Sequence, residues 1–442
     1  MASPTTTWIP AKMIYRLRIL RIAAIGIAIA FVSGLILTSC GTAPVQDGKI
    51  HLTFWQGVNP PTNREVVNKL VDRFNQSQNQ IFVESVYAGQ PDQQIPKILS
   101  AVVGNATPDL LWYSPMITGR LVELDAIRPV DDLLKRSPMA SELDPGLLPT
   151  MQYRDRLWSV PFGVNNIGIY YRPSLFEAAG IKKLPETWYE LRQVAKQLTR
   201  DTDGDGRIDR HGIFLPLGKG EFTVFIWTPF LWSAGGDLVK GDLPQLNTPE
   251  ATTALKLWDD LVKSNAAILS QPERGYEEDN FIAGKVAMQI SGSWALRFMT
   301  KKKIDFGVMP IPRDRTVATT IGGENLFLFK SSPEREAAAW KFAEFVMSEA
   351  FQTEWASQTG YLPTNLKSQQ SAEYAKYIEQ QPEVSIFLQQ MSAGRTRPLS
   401  PDYPRISESV GRAIEATLLQ KSTPEEALAK AQRNLDVVLG KG

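Results

Sequence analysis

The sequence predicts an α/β protein, and three observations carry that prediction. Short apolar or alternating segments recur along the chain with the two-residue period of strands. Between them lie amphipathic segments with the 3.6-residue period of helices, several opened by a recognisable start signal. The composition is that of a packed globular chain: 442 residues, 43% hydrophobic and 21% charged. Such a length allows two or three domains, and such a composition excludes disorder, collagen or coiled coil as the main architecture.

In chain order, Ile50 to Trp55, Ile81 to Ala88 and Leu110 to Tyr113 read as strands. Between the first two, Val66, Val67, Leu70, Val71 and Phe74 share one helical face over Thr62 to Asn75, and Thr62 with Glu65 spells a capping box. The same box recurs at Thr187 with Glu190 and at Thr423 with Glu426. Thr248-Pro249 and Ser332-Pro333 place a capping hydroxyl before a proline suited to the first helical position. Further strands are expected at Ile167 to Tyr171, Val286 to Ser291, Phe306 to Met309 and Leu326 to Lys330. Lys301-Lys302-Lys303 reads as a solvated helix end.

The charge balance is close to neutral, with 48 Lys+Arg against 47 Asp+Glu, which gives no support for nucleic-acid binding. It is unevenly spread. Residues 1–39 carry Lys12, Arg16, Arg18 and Arg21 and no acid, which leaves 44 bases and 47 acids beyond them. An apolar run from Ile22 follows this basic stretch and ends at Leu37-Thr38-Ser39-Cys40-Gly41. That is the pattern of a secretory signal, with an uncleaved anchor helix as the alternative. Cys40 is the single cysteine of the chain and resembles the lipid-modified cysteine of a bacterial lipoprotein signal. Residues 1–39 are therefore expected to be a lipoprotein signal peptide and 40–49 a polar linker.

Catalytic patterns are weak. The two histidines, His51 in the first strand and His211 in an expected loop, stand in neither nucleophile nor metal-ligand spacing. Gly322-Gly323 and Gly235-Gly236 do not follow a phosphate-binding pattern. Glu324 could be half of a glycosidase carboxylate pair, but so could many of the other acids. No catalytic cofactor is expected. One metal signal is better defined: Asp201, Asp203, Asp205, Arg207 and Asp209 match the first nine positions of a calcium loop, with Arg207 offering its carbonyl. Gly212 stands where the bidentate glutamate belongs, so the choice lies between a structural Ca2+ and an acidic turn held by its own backbone.

Several tryptophans sit beside polar or glycine residues at expected strand ends, as in Trp55-Gln56-Gly57, Trp112-Tyr113-Ser114 and Ser291-Gly292-Ser293-Trp294. Flat apolar faces rimmed by hydrogen-bonding groups would suit a carbohydrate. Trp258 and Trp340, on amphipathic helices, read as core.

The stretch Val160-Pro161-Phe162-Gly163-Val164-Asn165-Asn166, then Gly168-Ile169-Tyr170-Tyr171-Arg172 and Thr187-Trp188-Tyr189-Glu190, resembles the extracellular solute-binding proteins of family 1, the maltose-binding-protein-like group. Gly104 through Pro108-Asp109, Phe281 through Gly284-Lys285 to Met288, Gly360-Tyr361-Leu362-Pro363 and Arg397-Pro398 match as well. The chain departs from the pattern at Arg172, where Asn or Asp is usual, and at Gly163.

The resemblance implies a two-lobed periplasmic-binding-protein fold of type II with the ligand cleft between lobes. Residues 50–163 and 322–352 would form the first lobe, and 164–321 and 353–442 the second. The chain would cross between them near Pro161–Asn166, Thr319–Glu324 and Phe351–Gln358. By position, Gln56, Tyr113 and Ser114 would reach the ligand from the first lobe and Asn165 and Asn166 from the hinge. Trp227, Trp232 and Trp294 would line the second lobe, Gly323 and Glu324 the second hinge, and Tyr361 and Arg397 the closing wall. Tyr170 and Tyr171 are similar to the paired tyrosines of ferric-ion carriers but are read as core. The implied function is capture of a sugar or glycosyl-polyol for an ABC permease and its ATPase by a monomeric, membrane-anchored, non-enzymatic protein. The alternatives are a glycerol-phosphate-type binding protein and a surface glycan hydrolase.

Overall fold

The computed structural model describes residues 48–241, 243–271 and 277–440. Cys40 and the signal segment lie outside the described residues. Ten strands build two sheets: β1 Ile50–Gln56, β2 Ile81–Tyr87, β3 Leu110–Tyr113, β4 Val160–Asn165, β5 Ile167–Tyr171, β6 His211–Leu215, β7 Ala267–Leu269, β8 Val286–Gly292, β9 Gly307–Met309 and β10 Gly322–Leu328. The first sheet runs β2-β1-β3-β10-β4 and the second β7-β6-β8-β5-β9. In each, four strands run in one direction and one runs against them, β10 between β3 and β4 in the first sheet and β5 between β8 and β9 in the second.

Helices cover both sheets; β8 is buried at all seven positions and β4 at all six, whereas β1 and β2 alternate buried with more exposed positions. The main helices are α1 Pro61–Ser77, α2 Trp188–Leu198, α3 Glu221–Ser233, α4 Pro249–Lys263, α5 Pro333–Met347, α6 Glu349–Thr359, α7 Tyr403–Leu418 and α8 Pro424–Val438. Capping boxes form at Thr187/Glu190 and Thr423/Glu426, and Thr248 and Ser332 cap α4 and α5 ahead of their prolines. At α1 the expected box does not form. The helix starts at Pro61, so Thr62 falls inside the first turn, and its hydroxyl is buried without a partner among the described residues. His211 opens β6 instead of lying in a loop.

One core joins β1, β3, β4 and β10 to α1, α5 and α6 through Phe54, Leu70, Phe162, Phe342, Phe351 and Trp355. Another joins the second sheet to α2, α3, α4, α7 and α8. The chain leaves the first sheet at Asn165 and enters the second at Ile167; it returns between Met309 and Gly322. The expected boundary at 352/353 falls inside α6, whose Phe351 and Trp355 both pack with the first sheet. Among the described residues, no helix is long and apolar enough to cross a membrane.

Candidate functional site

A cleft collects side chains delivered by both sheets. The C-terminal end of β3 supplies Trp112 and, just beyond it, Ser114; the end of β4 supplies Asn165, and the start of β10 supplies Gly322, Gly323 and Glu324. From the other side come Glu221, Phe222 and Phe225 of α3 and Trp294, which follows β8; Tyr361 and Arg397 complete the wall. Seven of the residues expected at the ligand are thus brought together: Ser114, Asn165, Trp294, Gly323, Glu324, Tyr361 and Arg397.

The junction of β10 with β4 sets the geometry. Gly323 has φ +109°, and a Cβ there would stand 2.1 Å from the Gly163 carbonyl oxygen, so only glycine lets the strands approach. The register slips between Glu324 and Asn325. A bulge of this kind re-aims side chains. Asn325 turns inward, donating to the Thr150 carbonyl at 2.9 Å and Ser159 Oγ at 2.8 Å, while Glu324 lines the cleft. Burial pushes the Glu324 carboxyl up to about 8, against the lowering effects of the Tyr361 hydrogen bond and the Arg397 charge.

Arg397 is 4% exposed, with its guanidinium carbon 4.5 Å from the centroid of the Phe225 ring. It is ion-paired to Glu221, whose carboxylate also accepts the Tyr403 hydroxyl at 2.8 and 2.9 Å and the Ser407 hydroxyl. Trp294 packs its ring 6.0 Å from Phe225 and touches three of the hydrophobic cores. Three buried polar atoms of cleft residues have no hydrogen-bond partner among the described residues: Trp112 Nε1, Asn165 Oδ1 and Arg397 Nε.

Five expected ligand contacts lie elsewhere. Gln56 accepts the Val58 amide at 2.8 Å and holds the turn that presents Gly57. Tyr113 is buried in a core on the opposite side of β3 from Trp112. Asn166 donates to the Phe387 carbonyl at 2.7 Å. Trp227 is core, and Trp232 donates to Asp237 Oδ1 at 3.0 Å with Arg395 over its ring. Glu221, Phe222 and Phe225, with Asn59 and Gln90, are cleft residues that sequence reasoning missed; Trp112 stands out as an aromatic at a strand end, but the expected contact is Tyr113 beside it.

In the acidic loop, oxygens of Asp201, Asp203 and Asp209 lie within 4.8 Å of one another. Backbone hydrogen bonds from Gly206 and Gly204 hold Asp201 below the usual carboxylate range, and the Thr202 hydroxyl and then its amide do the same for Asp209. Asp205 faces the Arg207 amide at 2.8 Å and is not in the cluster. Gly212 cannot serve as a twelfth-position ligand: it lies in β6, and a Cβ there would stand 2.0 Å from the Ala195 carbonyl oxygen.

Aromatic faces, ion-paired polar groups and two sheets of matching strand order define a two-lobed binding protein. The chain belongs to the bacterial extracellular solute-binding proteins, whose family profile matches residues 69–382. It is 24% identical over 408 residues to the sn-glycerol-3-phosphate-binding periplasmic protein UgpB of Yersinia pestis, covering 88% of this chain and 92% of that one. Among solved structures, an ABC transporter solute-binding protein of Thermotoga lettingae bound with α-D-tagatose is 26% identical, with a TM-score of 0.79 over 88% of this chain and 100% of that one. UgpB of Mycobacterium tuberculosis, in complex with glycerophosphocholine, shares the fold at 21% identity and a TM-score of 0.80, over 89% of this chain and 99% of that one.

Proposed function

We propose that this chain captures an uncharged sugar or glycosyl-polyol and hands it to an ABC permease and its ATPase. The observation that carries this reading is the trio of buried polar atoms, without a partner among the described residues, in the cleft that Trp294 and Phe225 also line. Trp112 Nε1 and Arg397 Nε are donors and Asn165 Oδ1 is an acceptor; a hydroxyl group is both. Buried polar atoms left unmade are costly, so a polyol that satisfies them binds with a gain that an apolar ligand lacks. The aromatic faces suit the apolar side of a sugar ring.

Closure of the lobe built on the first sheet with α1, α5 and α6 against the lobe built on the second sheet would bring these groups onto the ligand. Lipid attachment at Cys40, a monomeric state and a structural Ca2+ held by Asp201, Asp203 and Asp209 complete the proposal.

A glycerol-phosphate ligand is the second reading, favoured by the names of the UgpB relatives. A thermal-shift screen of disaccharides, tagatose, glycosyl-glycerols, sn-glycerol-3-phosphate and glycerophosphocholine separates the two, because a bound ligand raises stability by mass action. The strongest hit is expected to be uncharged and insensitive to ionic strength. A phosphorylated winner whose affinity falls steeply with salt would overturn the sugar reading.

A further inference from the structure

We infer that Glu221 is a specificity-determining residue, which keeps Arg397 in the cleft as a hydrogen-bond donor while cancelling its charge, so that the site refuses anionic solutes. This rests on the uncharged-solute reading above. Among the described residues lining the cleft, Arg397 is the one Lys or Arg, and a guanidinium cannot discharge by losing its proton. Left alone, a buried cation would be a strong anchor for phosphate or carboxylate.

Glu221 removes that anchor. Its two oxygens are occupied by Arg397 Nη1, the Tyr403 hydroxyl and the Ser407 hydroxyl, so the carboxylate is fixed from three directions. Tyr403 and Ser407 both belong to α7, which packs on α3. Glu221 is also the first residue of α3, a helix of 13 residues. Its negative charge therefore stands in the first turn, where free amides and the helix dipole would otherwise favour an anion. One carboxylate offsets both anion-attracting features of this wall. The Arg397 Nε, without a partner among the described residues, remains as a donor to a neutral oxygen.

The test uses the full chain with sn-glycerol-3-phosphate and inorganic phosphate as anionic probes, and maltose and tagatose as neutral ones, each at low and high salt. Wild type is expected to ignore both anions. Glu221→Gln should bind sn-glycerol-3-phosphate at least about tenfold more tightly than wild type, with the gain fading as salt screens it. The double variant Glu221→Gln/Arg397→Gln should lose the gain. If Glu221→Gln folds and is as blind to anions as wild type, the inference fails and the uncharged-solute reading stands. Salt-sensitive binding of sn-glycerol-3-phosphate by wild type would overturn both. A bare buried guanidinium should be rescued by an anion, so failure of Glu221→Gln and Glu221→Ala to fold, with and without phosphate, also counts against the inference.

Discussion

Tyr361 donates its phenolic hydrogen to Glu324 Oε2 at 3.1 Å, tying the segment after α6 to the bulged start of β10. Burial pushes the Tyr361 hydroxyl well above its ordinary range, so it stays a donor at any physiological pH. Glu324 is the group that titrates. With its carboxyl raised from 4.5 to about 8, the folded chain holds a proton that the unfolded chain releases across that interval. The associated stability is fully present below pH 4.5 and is lost as pH rises toward 8, at up to about 1.4 kcal/mol per pH unit. Glu324→Gln should flatten this part of the stability–pH curve, as read by urea titrations between pH 5 and 8. An unchanged slope in the variant would show that Glu324 is ionised at neutral pH in the folded chain.

Trp294 and Trp227 should separate affinity from stability. Trp294 lines the cleft, and Trp294→Ala removes a stacking face worth about 1–3 kcal/mol, or roughly five- to 150-fold in affinity for the best ligand of the screen. Trp227 is fully buried in the core, and Trp227→Ala should cost about 3–5 kcal/mol of stability by leaving a cavity. Calorimetric titration and denaturant unfolding of both variants check the pair. The assignment fails if Trp227→Ala weakens binding as much as Trp294→Ala does while remaining fully stable.

These two residues also show what the sequence could and could not tell. Seven of the ten strands were legible as apolar or alternating runs, β10 only in its second half, while β4, β6 and β7 did not stand out. Four of the helix starts were legible because their caps are local chemistry. The cleft was half legible. Strand alternation puts Trp112, and not Tyr113, on the side of Ser114, a two-residue period available from the sequence alone. On α3, Glu221 and Phe225 are four apart and share a face, whereas Trp227 points away. That face carried no visible pattern because every residue from Thr223 to Ser233 is buried, so the helix is apolar nearly all round. The pairing of Glu221 with Arg397 spans 176 residues of sequence, and only the tertiary fold discloses it.

Cys40 should carry the membrane attachment. The basic and apolar residues before it make an export signal, and the position of this lone cysteine supplies the attachment point. Cys40→Ala should accumulate unprocessed precursor, or a product that no longer partitions into detergent. Normal processing with unchanged partitioning would remove the lipid anchor from the proposal.

The acidic loop makes the last test, through metal removal. Oxygens that share one Ca2+ at about 2.3–2.6 Å can lie no more than about 5 Å apart. Asp201, Asp203 and Asp209 already meet that limit without distortion. Their cost is mutual repulsion, which the Gly204, Gly206 and Thr202 amides relieve only in part and a divalent cation would relieve fully. With Gly212 unable to act as a ligand, water must complete the shell, which predicts the weak affinity of extracellular calcium modules, about 10⁻⁴–10⁻³ M. Calcium in the millimolar range should raise the melting temperature by about 2–4 °C, and a chelator should reverse the shift. Asp203→Ala should abolish the calcium response while leaving ligand affinity intact, because the loop contributes nothing to the cleft. A melting curve indifferent to both calcium and chelator would identify the loop as an acidic turn held by its own backbone.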